Sequence, residues 1–327
     1  MENFKYIEYH VTRDFSRKMN ATFEFIRQNF KPLFKCILFI AGPPVLVASI
    51  LLGSFFGDII GLSTAGMTNP EGPAEYFRSV NFWLQILLMF VFIVISGVMT
   101  LATINNYIVI YGEKHTNKID VQEVWTRVRQ TFWMHLLTMI LFALMGIVVY
   151  IIALIPFMLL MAISPVMLFF GVLILFGAFA YIFVGASFTF FIRLIEKKGF
   201  FEAVARSFKL IQGKWWSTFG LLIVLSVVAG ILSYIPLIPW YIMIFVSALH
   251  NTSASPFASP SGTTQVITVV FFSLYYLVNL ILQTLPNLGL AFQYFNLVEM
   301  KEARGLMQDI ESFGQTPQAT PPQDEHY

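Results

Sequence analysis

The chain has 327 residues, 57% of them hydrophobic and only 12% charged, with 35 phenylalanines and 14 methionines. A soluble domain keeps about a quarter of its residues charged, so this composition excludes an ordinary soluble enzyme and points to lipid as the solvent. The formal net charge of +2 says little alone, but the basic residues form no domain of their own, which argues against nucleic-acid binding.

In chain order, the first 35 residues are mixed and charged, and no small-residue cleavage site follows the first apolar run, so a signal peptide is not expected. Within them Phe15, Met19, Phe23, Ile26 and Phe30 recur at helical spacing, with Arg17, Lys18, Glu24, Arg27 and Lys31 elsewhere on the wheel. The first span is predicted over 36–57. It opens at Cys36, the single cysteine, which excludes an intramolecular disulfide or a multi-cysteine metal site. Cys36 reads as a small buried residue, with acylation at the span's mouth as the alternative. The adjacent Pro43 and Pro44 should kink or break the helix, and Gly53 and Gly57 stand at GxxxG spacing, a pattern of close helix packing or oligomer contact. Asp58, Glu71 and Glu75 then fall in a connection that reads as a solvated loop.

The second span is predicted over 82–107. A second amphipathic run follows, Val121, Val124, Trp125, Val128 and Phe132, opened by Asp120 and Glu123 in the spacing of a capping box. Between Leu136 and Ile192 no Asp, Glu, Lys, Arg or His occurs. As one helix that stretch would be roughly 86 Å long against a hydrocarbon core of about 30 Å. It must therefore cross twice, as spans 134–157 and 166–192, turning near Pro156 and Pro165.

The third amphipathic stripe is Phe201, Val204, Phe208 and Ile211, and it runs into "GKWWSTFG". Gly213 lets the chain turn from the bilayer surface into the bilayer, and Trp215 and Trp216 take the place amphipathic indoles prefer at the membrane–water boundary. Spans five and six are predicted over 217–246 and 267–296, separated by a Ser-, Thr-, Pro- and Gly-rich connection at 250–265. Pro236 and Pro239 should disturb the outer half of span five.

The expected fold is therefore all-α: a polytopic membrane protein of six transmembrane helices in three hairpins, each preceded by a cytoplasmic amphipathic interfacial helix. Basic residues support the topology, since 19 of the 20 Lys and Arg fall in the two termini and the 108–135 and 193–214 connections, leaving only Arg78 opposite. Both termini are then expected in the cytoplasm. The ends of spans two, four and six echo one another as "YIVIYGEK", "FFIRLIEKKG" and "YFNLVEMKEARG", and "RQNFKPLF" at 27–34 echoes "RQTFWMHL" at 129–136. Three repeat units are expected, about 12–118, 119–199 and 200–305, within a membrane domain over 1–311; residues 312–327 read as a disordered tail.

"FFEAVARSFKLIQGKWWSTFG" resembles the signature of a widespread group of bacterial six-helix membrane proteins that includes the membrane domain fused to some glycerophosphodiester phosphodiesterases. The matching residues are Glu202, Ala203, Arg206, Ser207, Leu210, Gly213 and Trp216. The resemblance implies a bacterial cytoplasmic-membrane location and association with lipid-related enzymes. It does not imply hydrolysis, because no phosphodiesterase domain is present.

No convergent set of ionisable groups suggests catalysis, a cofactor or a metal site, and the five histidines form no ligand pair. Arg127, Arg129, Arg206, Lys209, Lys214, Trp215 and Trp216 are candidate lipid-headgroup contacts, with plain positional anchoring as the alternative. Asn279, Gln283 and Asn287 lie one turn apart on span six and form a candidate intramembrane polar face, with Gln85, Asn105 and Asn106 in span two. Such residues either line a path for a polar solute or hydrogen-bond between helices, worth about 0.6 kcal/mol each. The expected function is a non-enzymatic membrane subunit or scaffold that engages anionic lipid, with a protein partner or second copy compatible with it. The alternative is a lipid or small-amphiphile permease.

Overall fold

The computed structural model describes residues 4–68, 71–163, 165–250 and 262–303, with 305, 307 and 310. The turn residue Ser164, most of the 250–265 connection and the 312–327 tail lie outside the described residues. Among the described residues the chain is helical without strands: α1 Phe15–Ile40, α2 Gly42–Thr68, α3 Gly72–Arg78, α4 Val80–Lys114, α5 Val121–Ile163, α6 Pro165–Gly185, α7 Thr189–Ile195, α8 Phe200–Ile211, α9 Trp215–Ser233, α10 Ile238–His250, α11 Gly262–Leu282 and α12 Thr284–Glu302. A 3-10 turn, Ile235–Leu237, joins α9 to α10. Six stretches are long and apolar enough to cross a membrane: Gly42–Ile59, Val80–Lys114, Val121–Pro156, Phe169–Ile195, Trp215–Val246 and Val266–Glu302.

Local chemistry explains where the helices start and break. Asp14 caps α1 by accepting a hydrogen bond from the Arg17 amide at 2.8 Å, and Ser79 caps α4 through the Phe82 amide at 3.2 Å. Pro43 and Pro44 sit in the first turn of α2, where a missing N–H costs nothing, so the chain breaks before them, at Ala41. The second amphipathic run is not a separate helix. Nothing between Val121 and Met145 interrupts a helix, and α5 runs unbroken for 43 residues, roughly 65 Å. The third run does stand apart as α8, because Gly213 adopts φ +80° between it and α9, a conformation that only glycine takes without strain. Span five breaks at Tyr234–Leu237 beside its two prolines. Span six breaks at Gln283, three residues before Pro286, which cannot donate to the Leu282 carbonyl.

Helices α4, α7 and α12 end alike. His115, Lys197 and Ala303, which follow them, are the non-glycine residues with left-handed backbone among those described. The helix-end amides of His115 and Ala303 bond back to Tyr111 and Glu299 at 3.0 and 2.9 Å, the usual closure of an αL cap.

The tightest packing joins α2 to α11, and α2 also packs on α4, α4 on α5, α5 on α6, and α9 on both α11 and α12. Gly53 makes the α2–α11 approach possible, since a Cβ there would lie 2.6 Å from the Val269 carbonyl oxygen. Gly53 therefore serves packing within the chain. The best-buried side chains, including Phe25, Tyr107, Tyr111, Phe188, Phe292 and Tyr294, gather at one end of the bundle, where α1, α4, α7 and α12 meet. Further along the spans large apolar residues such as Phe90, Ile152, Ile174, Phe183 and Phe245 are exposed, which is the surface a lipid solvent requires.

The amphipathic stripes sit unequally against this core. Val124 and Val128 of α5 are buried, whereas in α1 Phe15, Phe23 and Phe30 face outward and Lys18, Thr22, Phe25, Asn29 and Leu33 pack inward.

Candidate functional site

The predicted basic contacts separate into two groups. Arg129, Lys209, Lys214 and Trp216 are exposed, Trp216 at 77%, and the Arg129 guanidinium lies 6.0 Å from the Trp125 ring centre. Trp215 is half-buried, stacked on Phe219 at 4.8 Å, with its indole N–H donating to the Tyr181 carbonyl at 3.4 Å. Arg127 and Arg206 are held in ion pairs within the chain, the first at the surface and the second largely buried. Arg127 donates both terminal nitrogens to Glu113, one at 2.9 Å, rather than to Glu123, which pairs with Lys114. Arg206 binds Glu196 at 3.2 Å and also Glu302, rather than Glu202 one turn away. In both cases a partner from another element is better placed than the i, i+4 neighbour.

Around Glu196 these contacts form a closed cluster that ties α7, α8 and α12 together. The Tyr294 hydroxyl donates to Glu196 at 3.0 Å and Lys198 approaches it at 3.3 Å. Burial alone would raise the Glu196 carboxyl, but the hydrogen bonds from Arg206 and Tyr294 outweigh it and hold the group below the ordinary glutamate value.

A second polar cluster was not anticipated from sequence. Lys18 is only 3% exposed, and its ammonium donates to Gln293 Oε1 at 2.6 Å and Ser217 Oγ at 3.0 Å. Gln293 in turn donates to Thr218 at 2.9 Å. Burial, and then the nearby positive charge of Lys214, bring Lys18 down to about 8. The available signal was the helical recurrence of Lys18, Thr22, Phe25 and Asn29, a mixed stripe masked by the more apolar one beside it.

The predicted intramembrane face does not converge on one point. Asn279 donates to Ser233 at 3.3 Å, Gln283 is exposed at the break between α11 and α12, and Asn287 donates to the Gln283 carbonyl at 2.8 Å. Gln85 donates to Asp58 at 3.0 Å, near the other end of the bundle. Asn105 and Asn106 join a cluster facing α5: Asn106 donates to Thr131 at 2.8 Å, Asn105 meets His135 at 3.4 Å, and His135 contacts the Thr131 carbonyl at 2.9 Å. Arg193 of α7 completes it by donating to Thr138 Oγ1 and the Met134 carbonyl.

Beside this cluster α4, α5, α6, α7 and α12 enclose a cleft of about 460 Å³. Its wall is almost wholly apolar, with Met139, Phe142, Phe179, Phe183 and Phe190 prominent, and Ser187 and Asn287 as polar members. Among the described residues no group of three or more His, Cys, Asp or Glu is placed to hold a metal ion.

Comparison of the chain with protein-family models, with curated proteins and with solved structures gives no match.

Proposed function

We propose that this is a non-enzymatic, multi-pass subunit or scaffold of the bacterial cytoplasmic membrane, built as three helical hairpins with amphipathic interfacial segments and both termini in the cytoplasm. It engages anionic lipid through the exposed residues Arg129, Lys209, Lys214 and Trp216. The observation that carries this reading is the division of the basic residues. Arg127 and Arg206 are paired with Glu113 and Glu196, while Lys209, Lys214 and Trp216 remain exposed, and exposed basic charge attracts anionic headgroups. The three left-handed helix ends support a threefold repeat, since similar sequence has taken similar backbone at each.

The test uses quenching of tryptophan fluorescence by brominated lipid in reconstituted vesicles. Brominated phosphatidylglycerol should quench more than brominated phosphatidylcholine, the excess should fall with added salt, and the Lys209→Gln, Lys214→Gln double variant should lose it. Equal quenching by both lipids in the unaltered protein would refute the reading. The second reading, an amphiphile permease, is favoured by the cleft that Asn287 borders; replacing Asn279, Gln283 and Asn287 by alanine should then abolish transport while the protein still folds.

A further inference from the structure

The cleft and the polar cluster at its end together have the chemistry of a single built site. Arg193 lies in the membrane-spanning stretch Phe169–Ile195, yet no carboxylate partners it among the described residues. Among the described residues its guanidinium is held by the neutral Thr138 hydroxyl and the Met134 carbonyl, and its Nε is buried with no acceptor. Arg193 as a whole is half-buried, and a cation within an apolar stretch that lacks a counter-charge marks a candidate functional site in a membrane.

Three more facts place that cation relative to the cleft. Arg193 is one turn beyond Phe190, which lines the cleft and stacks on His135 at 5.9 Å between ring centres. Thr138, which Arg193 holds, directly precedes Met139, the first residue of α5 on the cleft wall. Ser187, also on the wall, has a buried hydroxyl with no partner, as does the Asn105 side-chain oxygen beside His135. One unsatisfied polar group therefore lies on the cavity wall and two more, on Arg193 and Asn105, lie one helical turn beyond wall residues Phe190 and Leu101.

The dimensions narrow the occupant. The cleft volume of about 460 Å³ falls within the usual range of roughly 300–1,000 Å³ for small-molecule sites. Along α5 its wall runs from Met139 to Val149, roughly 15 Å of helix. That equals about half of a 30 Å hydrocarbon core, the depth of one acyl chain in one leaflet. Arg193 stands two residues from the end of its apolar stretch, which closes at Ile195.

We propose that this cleft binds one anionic glycerophospholipid from the cytoplasmic leaflet, an acyl chain lying between α5 and α6 and the phosphate on Arg193. The site depends on the membrane-spanning reading but not on the exposed basic residues, and each can fail without the other. A bound phosphate supplies the acceptor that Arg193 Nε lacks. The planar guanidinium, fixed at one end by Thr138, presents its remaining N–H groups in the fork that suits a phosphate.

Native mass spectrometry of the full chain in neutral detergent, with phosphatidylglycerol, phosphatidylcholine or oleate added in turn, tests the proposal. The expected result is one retained phosphatidylglycerol, with an occupancy about tenfold above phosphatidylcholine, as one charge-assisted contact would give. Gly146 lines the cleft, and a Cβ built there meets nothing within 4 Å. Gly146→Leu therefore has room for its Cβ, projects an isobutyl group into the cleft and should remove the lipid. Arg193→Gln should leave lipid binding but reduce the anionic preference to near unity, while Lys209→Gln with Lys214→Gln should leave the adduct intact. Retention unchanged in Gly146→Leu, equal retention of the two phospholipids by the unaltered protein, or preferential capture of oleate would overturn the assignment.

Discussion

Replacing Lys18 by methionine should flatten the pH dependence of stability on the alkaline side. The Lys18 ammonium is almost fully buried against neutral partners, and its value falls from the ordinary 10.5 to about 8. At 1.36 kcal/mol per pH unit, holding the charge inside costs roughly 3 kcal/mol relative to the unfolded chain. The folded value is the lower one, so between about pH 8 and 10.5 the unfolded chain binds more protons and stability rises with pH. From pH 8 to about pH 9.5 the gain should be about 1.5 kcal/mol. Tyr6, which is half-buried, acts with the opposite sign at higher pH: it is pushed up from 10.0 to about 12 by burial and then by Tyr111, so its contribution is lost as pH rises through that range. The comparison therefore stops below pH 10. Unfolding in mixed detergent with SDS, followed by tryptophan fluorescence, gives the free energies at each pH. A Lys18→Met variant that gains stability with pH as steeply as the unaltered protein would refute the assignment of the slope to this lysine.

The remaining predictions concern packing and the Glu196 cluster. Gly53→Val should destabilise the fold by about 1–3 kcal/mol or more in the same assay, because its Cβ would meet the Val269 backbone and not a mobile side chain; an unchanged midpoint would show that α2 and α11 do not approach as described. Cys36 is fully buried, so a maleimide should leave the folded protein unlabelled over the time in which an SDS-unfolded control labels completely, and full labelling of folded protein would contradict that burial. Glu196→Gln should cost about 1–3 kcal/mol. Since the folded carboxyl lies below its ordinary 4.5, its stabilisation is complete above that pH and is lost as pH falls through the folded value; the variant should lack this acid-side decline.

Several features were legible because they depend on local composition. Six spans follow from the length of uncharged apolar runs against bilayer thickness. Pro43 and Pro44, Gly213, Pro236 and Pro286 each sit where the helices start or break, since proline and glycine act on their own turn of backbone. Gly53 gave the correct kind of contact, while its partner, α11, lies more than two hundred residues away and left no trace in the local pattern.

What sequence alone determined is thus the solvent of this protein and the period and punctuation of its helices, because both arise from side-chain hydropathy and backbone restriction over a few residues. Tertiary structure decided which cations are spent and which are left. Arg127 and Arg206 looked like neighbours of lipid in a helical wheel, but Glu113 and Glu196 arrive from other elements and neutralise them. Lys18 looked solvated and is buried, because α9 and α12 bring Ser217 and Gln293 to its ammonium. Arg193 looked like the first residue of a connection and stands instead one turn beyond the wall of an apolar cleft, with no carboxylate partner among the described residues. Electrostatic partners are set by distance in space, and in a bundle of this kind that distance is fixed only when helices remote in the chain pack together.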